Sequence, residues 1–111
     1  MTKRLGQSFY NVSSKELAIS LLGKILVRQL DTGETLKGRI VEIESYPSSQ
    51  DIFSNQKENN EPIKPGTSLV CVSYGLFWLN ISSNDPNGVV VIRAIEPIVG
   101  VKGMMTRRNR K

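Results

Sequence analysis

Three charged side chains stand in this sequence where a strand would ordinarily carry apolar ones. Gly38-Arg39-Ile40-Val41-Glu42-Ile43-Glu44-Ser45-Tyr46 has the composition of a strand. Strict alternation predicts Ile40, Glu42, Glu44 and Tyr46 on one face, with Val41 and Ile43 on the other. Burying an ionised carboxylate is costly, so Glu42 and Glu44 must be paired, solvated or kept for chemistry. A positioned carboxylate can take a proton from water, while on a solvent-facing edge strand the same acids would only aid solubility. The third residue is Arg93, in the middle of the apolar β-branched run Val89 to Ile95. A strand buried on both faces would look like that run without its arginine. Arg93 therefore calls for a carboxylate or a ligand, unless its guanidinium snorkels to the sheet edge.

The elements that must hold these residues can be read in chain order. Residues 1–10 form an arm, with Phe9 and Tyr10 as docking anchors. Ser13-Ser14-Lys15-Glu16 fits a capping box, so a helix is expected through Leu17, Ile19, Leu21 and Leu22, ending at Gly23. Lys24 to Leu30 is a predicted strand, Asp31-Thr32-Gly33 a tight turn, and Thr35 to Ser45 the returning strand. Residues 47–64 make a long polar loop closed by Pro65-Gly66. Ser68 to Ser73 and Leu76 to Ser82 are strands joined by Tyr74-Gly75, an aromatic near a hairpin tip. Asn84-Asp85-Pro86-Asn87-Gly88 is a strong turn before Val89 to Ile95. After Pro97 the pattern fades, with one or two helical turns around Met104 and Met105.

Composition narrows the chemistry. The 111 residues carry a formal charge of +5, with an isoelectric point near 9.6. The basic excess gathers at Lys3 and Arg4 and at Lys102, Arg107, Arg108, Arg110 and Lys111, which suits a polyanion such as nucleic acid or serves as solubilising tails. Cys71 is the single cysteine and there is no histidine, so neither an internal disulfide nor a histidine-based metal site or base is expected. No signal peptide and no run of membrane-spanning length is evident, which predicts an intracellular protein with no membrane partner.

Six segments carry a resemblance to a known family. Residues 21–28 (LLGKILVR), 38–46 (GRIVEIESY), 64–67 (KPGT), 74–75 (YG), 80–82 (NIS) and 91–97 (VIRAIEP) occur in the order and approximate spacing of the alkyladenine (3-methyladenine) DNA glycosylases, which the chain resembles from about Leu5 to its final basic residues. The resemblance implies an α+β fold, a mainly antiparallel curved sheet of hairpins with an N-terminal helix. It implies an incomplete version of that family's domain, here one unit over residues 1–111. It also implies base excision repair: a damaged nucleotide is swung out of the duplex and its N-glycosidic bond hydrolysed.

The implied roles fall on matching residues. Glu44 stands at the general-base position, deprotonating a water that attacks C1′, and a carboxylate suits a transition state with positive charge on the sugar. Arg93 matches the arginine that holds that water and the acid. Tyr46 matches a ring stacked on the extruded base. Asn80 matches the asparagine of the pocket floor, and Tyr74, with Gly75, matches the wedge that enters the duplex. Arg107 and Arg108 are candidate DNA contacts. The implied partner is double-stranded DNA with alkylated or deaminated purines, bound by a monomer, with no metal and no cofactor. The destination would be nuclear in a eukaryote, cytoplasmic or nucleoid in a bacterium.

Departures from the family pattern open a second reading. The pocket histidine expected between Asp51 and Asn55 is missing, with Phe53 or Asn55 in its place. Cys71 replaces a second stacking aromatic in the substrate pocket. The segment from Leu76 to Leu79 is one residue short, which predicts disturbed alternation before Asn80. The chain also stops where the family continues. The alternatives are thus a reduced monofunctional glycosylase and a truncated, catalytically impaired DNA-binding relic.

Overall fold

In the computed structural model, residues 4–48, 63–73 and 75–108 are described. Two short helices, α1 (Gln7–Tyr10) and α2 (Ser14–Leu21), precede five strands, β1 (Ile25–Gln29), β2 (Thr35–Tyr46), β3 (Ser68–Ser73), β4 (Leu76–Ser82) and β5 (Val89–Val99), and helix α3 (Val101–Arg108) follows them. The strands form one antiparallel sheet in the order β1-β2-β5-β4-β3. Three of its four pairings join neighbours in sequence, and only β2 against β5 spans the long loop. The architecture is α+β with a curled sheet, as expected for part of such a domain.

Helix α2 begins where the capping signal places it. The Ser13 hydroxyl accepts from the Glu16 backbone N–H at 3.2 Å. A second cap comes from far along the chain, where Asp85 Oδ2 accepts from the Ser14 N–H at 2.8 Å. That carboxylate sits at the positive end of the helix dipole and answers a buried donor. The turn carrying it is fastened again by Asn84 N–H to the Val12 carbonyl, 2.7 Å. The helix stops at Leu21, and Gly23 at φ +86° makes the left-handed exit that lets β1 start.

One face of the sheet is covered by α2 and the N-terminal arm. Leu17, Leu21, Ile40, Ile81, Val90 and Ile92 are buried there, with Phe9, Tyr10, Leu79, Ile43 and Ile95 packed around them. Each fully buried aliphatic of this kind contributes about 1.5–3 kcal/mol. Phe9 and Tyr10 meet edge to face at 5.4 Å, as docked anchors. Gly38 lets β2 and β5 close up, because a Cβ there would lie 2.6 Å from Ile95 Cδ1.

Two expectations need correcting. Strand β5 does not lose its pattern at Pro97 but continues to Val99, with Pro97 opposite Gly38 at a register shift. Beyond Ile92 the described pairing of β5 is with β2 alone, and a strand with one free edge tolerates a residue that cannot donate. The second correction concerns the shortened segment before Asn80. The β3–β4 and β4–β5 ladders run without a shift, and the irregularity lies instead between β2 and β5.

Candidate active site

The site is built on two compensating bulges. From Ile40 to Glu42 on β2 the partner advances only from Ile95 to Ala94, so Val41 is an extra residue. From Glu42 to Ile43 the partner advances from Ala94 to Ile92, so Arg93 is the extra residue on β5. Bulges bend a strand and re-aim the side chains beyond them. Here Ile40 and Ile43, three apart, both pack onto the core below α2, as do Ile92 and Ile95. The simple alternation that grouped Ile40 with Glu44 and Tyr46 therefore fails. Glu44 and Tyr46 alternate with Ile43, away from the α2 core. Trp78 and Asn80 alternate with Leu79 and Ile81 in the same sense.

On that second face the charges meet. Arg93 Nε donates to Glu44 Oε1 at 3.0 Å, and the Tyr46 hydroxyl donates to Glu44 Oε2 at 3.0 Å. Each carboxylate oxygen thus has one fixed donor and retains a lone pair for another. The Arg93 and Glu44 side chains are 41% and 45% exposed. An ion pair so open to water adds about 0–1 kcal/mol to stability, so folding gains little from keeping it. An open cleft of about 450 Å³ adjoins the pair, lined by Leu22, Val41, Glu42, Ile43, Glu44 and Arg93. The Tyr46 phenol is held above its ordinary value of 10.0, chiefly by its hydrogen bond to Glu44, then by partial burial and the nearby negative charge, with Arg93 opposing.

Register aligns the remaining residues. Glu44, Val91, Asn80 and Leu69 lie opposite one another across β2, β5, β4 and β3. At about 4.8 Å per strand, Glu44 and Asn80 stand about 10 Å apart with the small side chain of Val91 between them. Asn80 is fully buried. Its Nδ2 has the Leu69 carbonyl at 3.3 Å, the Trp78 carbonyl at 3.2 Å and Cys71 Sγ at 3.1 Å, so its two hydrogens are shared among three acceptors. Two carbonyl acceptors fix which end of the amide is nitrogen. Oδ1 is then the buried side-chain polar atom left without a partner among the described residues.

Trp78 is the residue that sequence reasoning missed. It pairs with Cys71 across the hairpin, and the Arg93 guanidinium carbon lies 4.4 Å from its ring centroid. Counting back two from Asn80 along an unbroken strand would have found it, but the expected disturbance of alternation hid that step.

Other candidates are not gathered at this cluster. Tyr74 lies outside the described residues, as do Asp51, Phe53 and Asn55. Gly75 is exposed at the β3–β4 turn with φ +74°. Arg107 is paired with Glu34 at 2.6 Å, while Arg108 is exposed on α3. Among the described residues no three of His, Cys, Asp and Glu gather as metal ligands, and no helix is long and apolar enough to cross a membrane.

Comparison with known proteins bears on this geometry. The family model described as methylpurine-DNA glycosylase matches residues 8–111. The mouse DNA-3-methyladenine glycosylase is 37% identical over 114 residues, which cover 96% of this chain and 34% of the mouse protein. For the human DNA-3-methyladenine glycosylase the identity is 36%, over 96% of this chain and 38% of the human one. A relative from Clostridium perfringens (strain SM101 / Type A) is 42% identical over 97% of this chain and 57% of its own length. The chain thus spans about a third of its mammalian relatives and a little over half of this bacterial one.

Proposed function

The chain belongs to the methylpurine-DNA glycosylase family, and from that footing we propose that it hydrolyses the N-glycosidic bond of an alkylated or deaminated purine extruded from duplex DNA. The observation that carries the proposal is the contact between Glu44 and Arg93, 3.0 Å apart on the sheet face not covered by α2. Glu44 takes a proton from a water as that water adds to C1′ and the bond to the base breaks, its electron pair leaving with the base; a cationic alkylated purine departs neutral, a deaminated one takes a proton from solvent, and an abasic site remains. Its negative charge also faces the positive charge that develops on the sugar. Arg93 steadies the carboxylate and the water. Tyr46 stacks on the base, and Asn80 forms the floor beyond Val91. Tyr74 and Gly75 enter the gap in the duplex, and Arg108 meets phosphate. The protein acts as a monomer.

A second reading is favoured by the exposure of the pair. Catalytic electrostatics act most strongly where water is excluded, and here both partners are more than two-fifths exposed. On that reading the chain holds DNA without cutting it.

One assay separates the two. The chain is incubated with a duplex bearing a single ethenoadenine or hypoxanthine, and abasic sites are then cleaved with alkali. Scission that disappears in Glu44→Gln is expected of the glycosylase. Binding without scission, weakened steeply by salt, would replace it with the relic.

A further inference from the structure

We propose that Trp78 is a positioning residue that holds the Arg93 guanidinium against Glu44. The catalytic consequence rests on the reading of Glu44 as the acting acid. Arg93 is the extra residue of a bulge, so the β2–β5 ladder does not fix its backbone as it fixes its neighbours'. Its side chain is long and 41% exposed. Left to itself such a guanidinium samples several rotamers, and an exposed carboxylate alone restrains it weakly. Two groups meet it here from different directions: Glu44 Oε1 at 3.0 Å from Nε, and the Trp78 ring, whose centroid is 4.4 Å from Cζ.

The indole is suited to this task. Its negative π-face attracts a cation without competing for the N–H donors, and a planar guanidinium can lie flat on it. Nε remains free to point at the acid. The indole is itself placed by the regular part of the sheet. Trp78 sits opposite Cys71 in an unshifted ladder, and its carbonyl receives a hydrogen bond from the buried Asn80 amide. A rigid aromatic surface thus stands beside the one residue of the pair that lies on irregular backbone. Glu44 is braced from its other side by the Tyr46 hydroxyl.

The test uses the whole chain and two readouts. The first is the Arg93 Nε–H resonance in a nitrogen-15 correlation spectrum, assigned by its disappearance in Arg93→Lys. In the native chain it is expected to be shifted from the free-arginine position and slow to exchange with water. Trp78→Leu, which keeps apolar bulk but removes the ring, should return it to the free position. Trp78→Phe, which keeps an aromatic face, should largely preserve it. The second readout is single-turnover base excision. From the usual strength of a cation–π contact, Trp78→Leu should slow it about 2- to 30-fold, with duplex affinity unchanged and Trp78→Phe closer to native. A native-like Arg93 resonance in Trp78→Leu overturns the positioning role. If the native chain releases no base while the resonance responds as described, the glycosylase reading fails and the positioning of Arg93 by Trp78 stands.

Discussion

Asn80 offers the sharpest separation of a structural duty from a substrate contact. Its Nδ2 lies within 3.3 Å of two backbone carbonyls, and the side chain has no exposure. Asn80→Asp preserves the shape while replacing that donor with an oxygen that faces the same carbonyls. A fully buried carboxylate is displaced upward by up to about 3–5 pK units, at 1.36 kcal/mol each. Taking about 3 units gives a deficit near 4 kcal/mol at neutral pH, a large part of the stability of a small domain. At several degrees per kcal/mol, the thermal midpoint should fall by about 15 °C. The sign with pH follows from the same shift. The introduced acid has a higher pKa folded than unfolded, so the deficit is greatest above its folded pKa and shrinks as acid restores a proton, and with it a donor. Asn80→Ala loses the donor without adding charge, which should cost about 1–3 kcal/mol with no such pH dependence. Circular dichroism melts of all three proteins at pH 7.5 and pH 5 provide the measurement. An Asn80→Asp protein that melts within 3 °C of native at pH 7.5, or whose deficit ignores pH, would refute this account of the amide.

Other consequences are equally open to measurement. Asp85→Ala strips the acceptor from the buried Ser14 N–H and should lower stability by about 1–3 kcal/mol in a denaturant titration, against a few tenths for an exposed control such as Asp31→Ala. The Tyr46 phenol, raised by Glu44, should ionise at lower pH in Glu44→Gln when phenolate absorbance is followed. The stability that its hydrogen bond supplies is present below the ordinary phenol range and is lost as pH climbs through the raised value. Arg107 is already paired with Glu34, so Arg108→Ala should reduce the slope of log affinity against log salt by about 0.9 on duplex DNA, and Arg107→Ala by less.

What could be read from the sequence was what short-range chemistry decides. Ser13 and Gly23 bracket α2 because capping needs only a hydroxyl and a residue that tolerates positive φ. Strands β3 and β4 fall where Tyr74-Gly75 and the turn at Asn84 to Gly88 bound two apolar runs. The pairing of Glu44 with Arg93 was anticipated in kind, since a charge in the middle of an apolar strand demands an answer. The bulges at Val41 and Arg93 were not legible. They are properties of two strands in register, and no residue within either strand signals them. The extra residue Val41 put Ile40 and Ile43 on one face, and so decided where Glu44 points. Pro97 misled for a related reason: it ends a strand only where both edges are paired. Trp78 was overlooked because its significance lies in what stands beside it on β5 and β3, and its own run looked like ordinary apolar filling.

In the proposed function Glu44 and Arg93 act as one unit on an extruded base. A double-mutant cycle with Glu44→Gln, Arg93→Met and the pair together, followed by single-turnover release of ethenoadenine from duplex DNA, tests it most directly. The double variant is expected to be no slower than the worse of the two single variants, because either change alone dismantles the arrangement. Losses that multiply independently, or release that persists in Glu44→Gln, would contradict it.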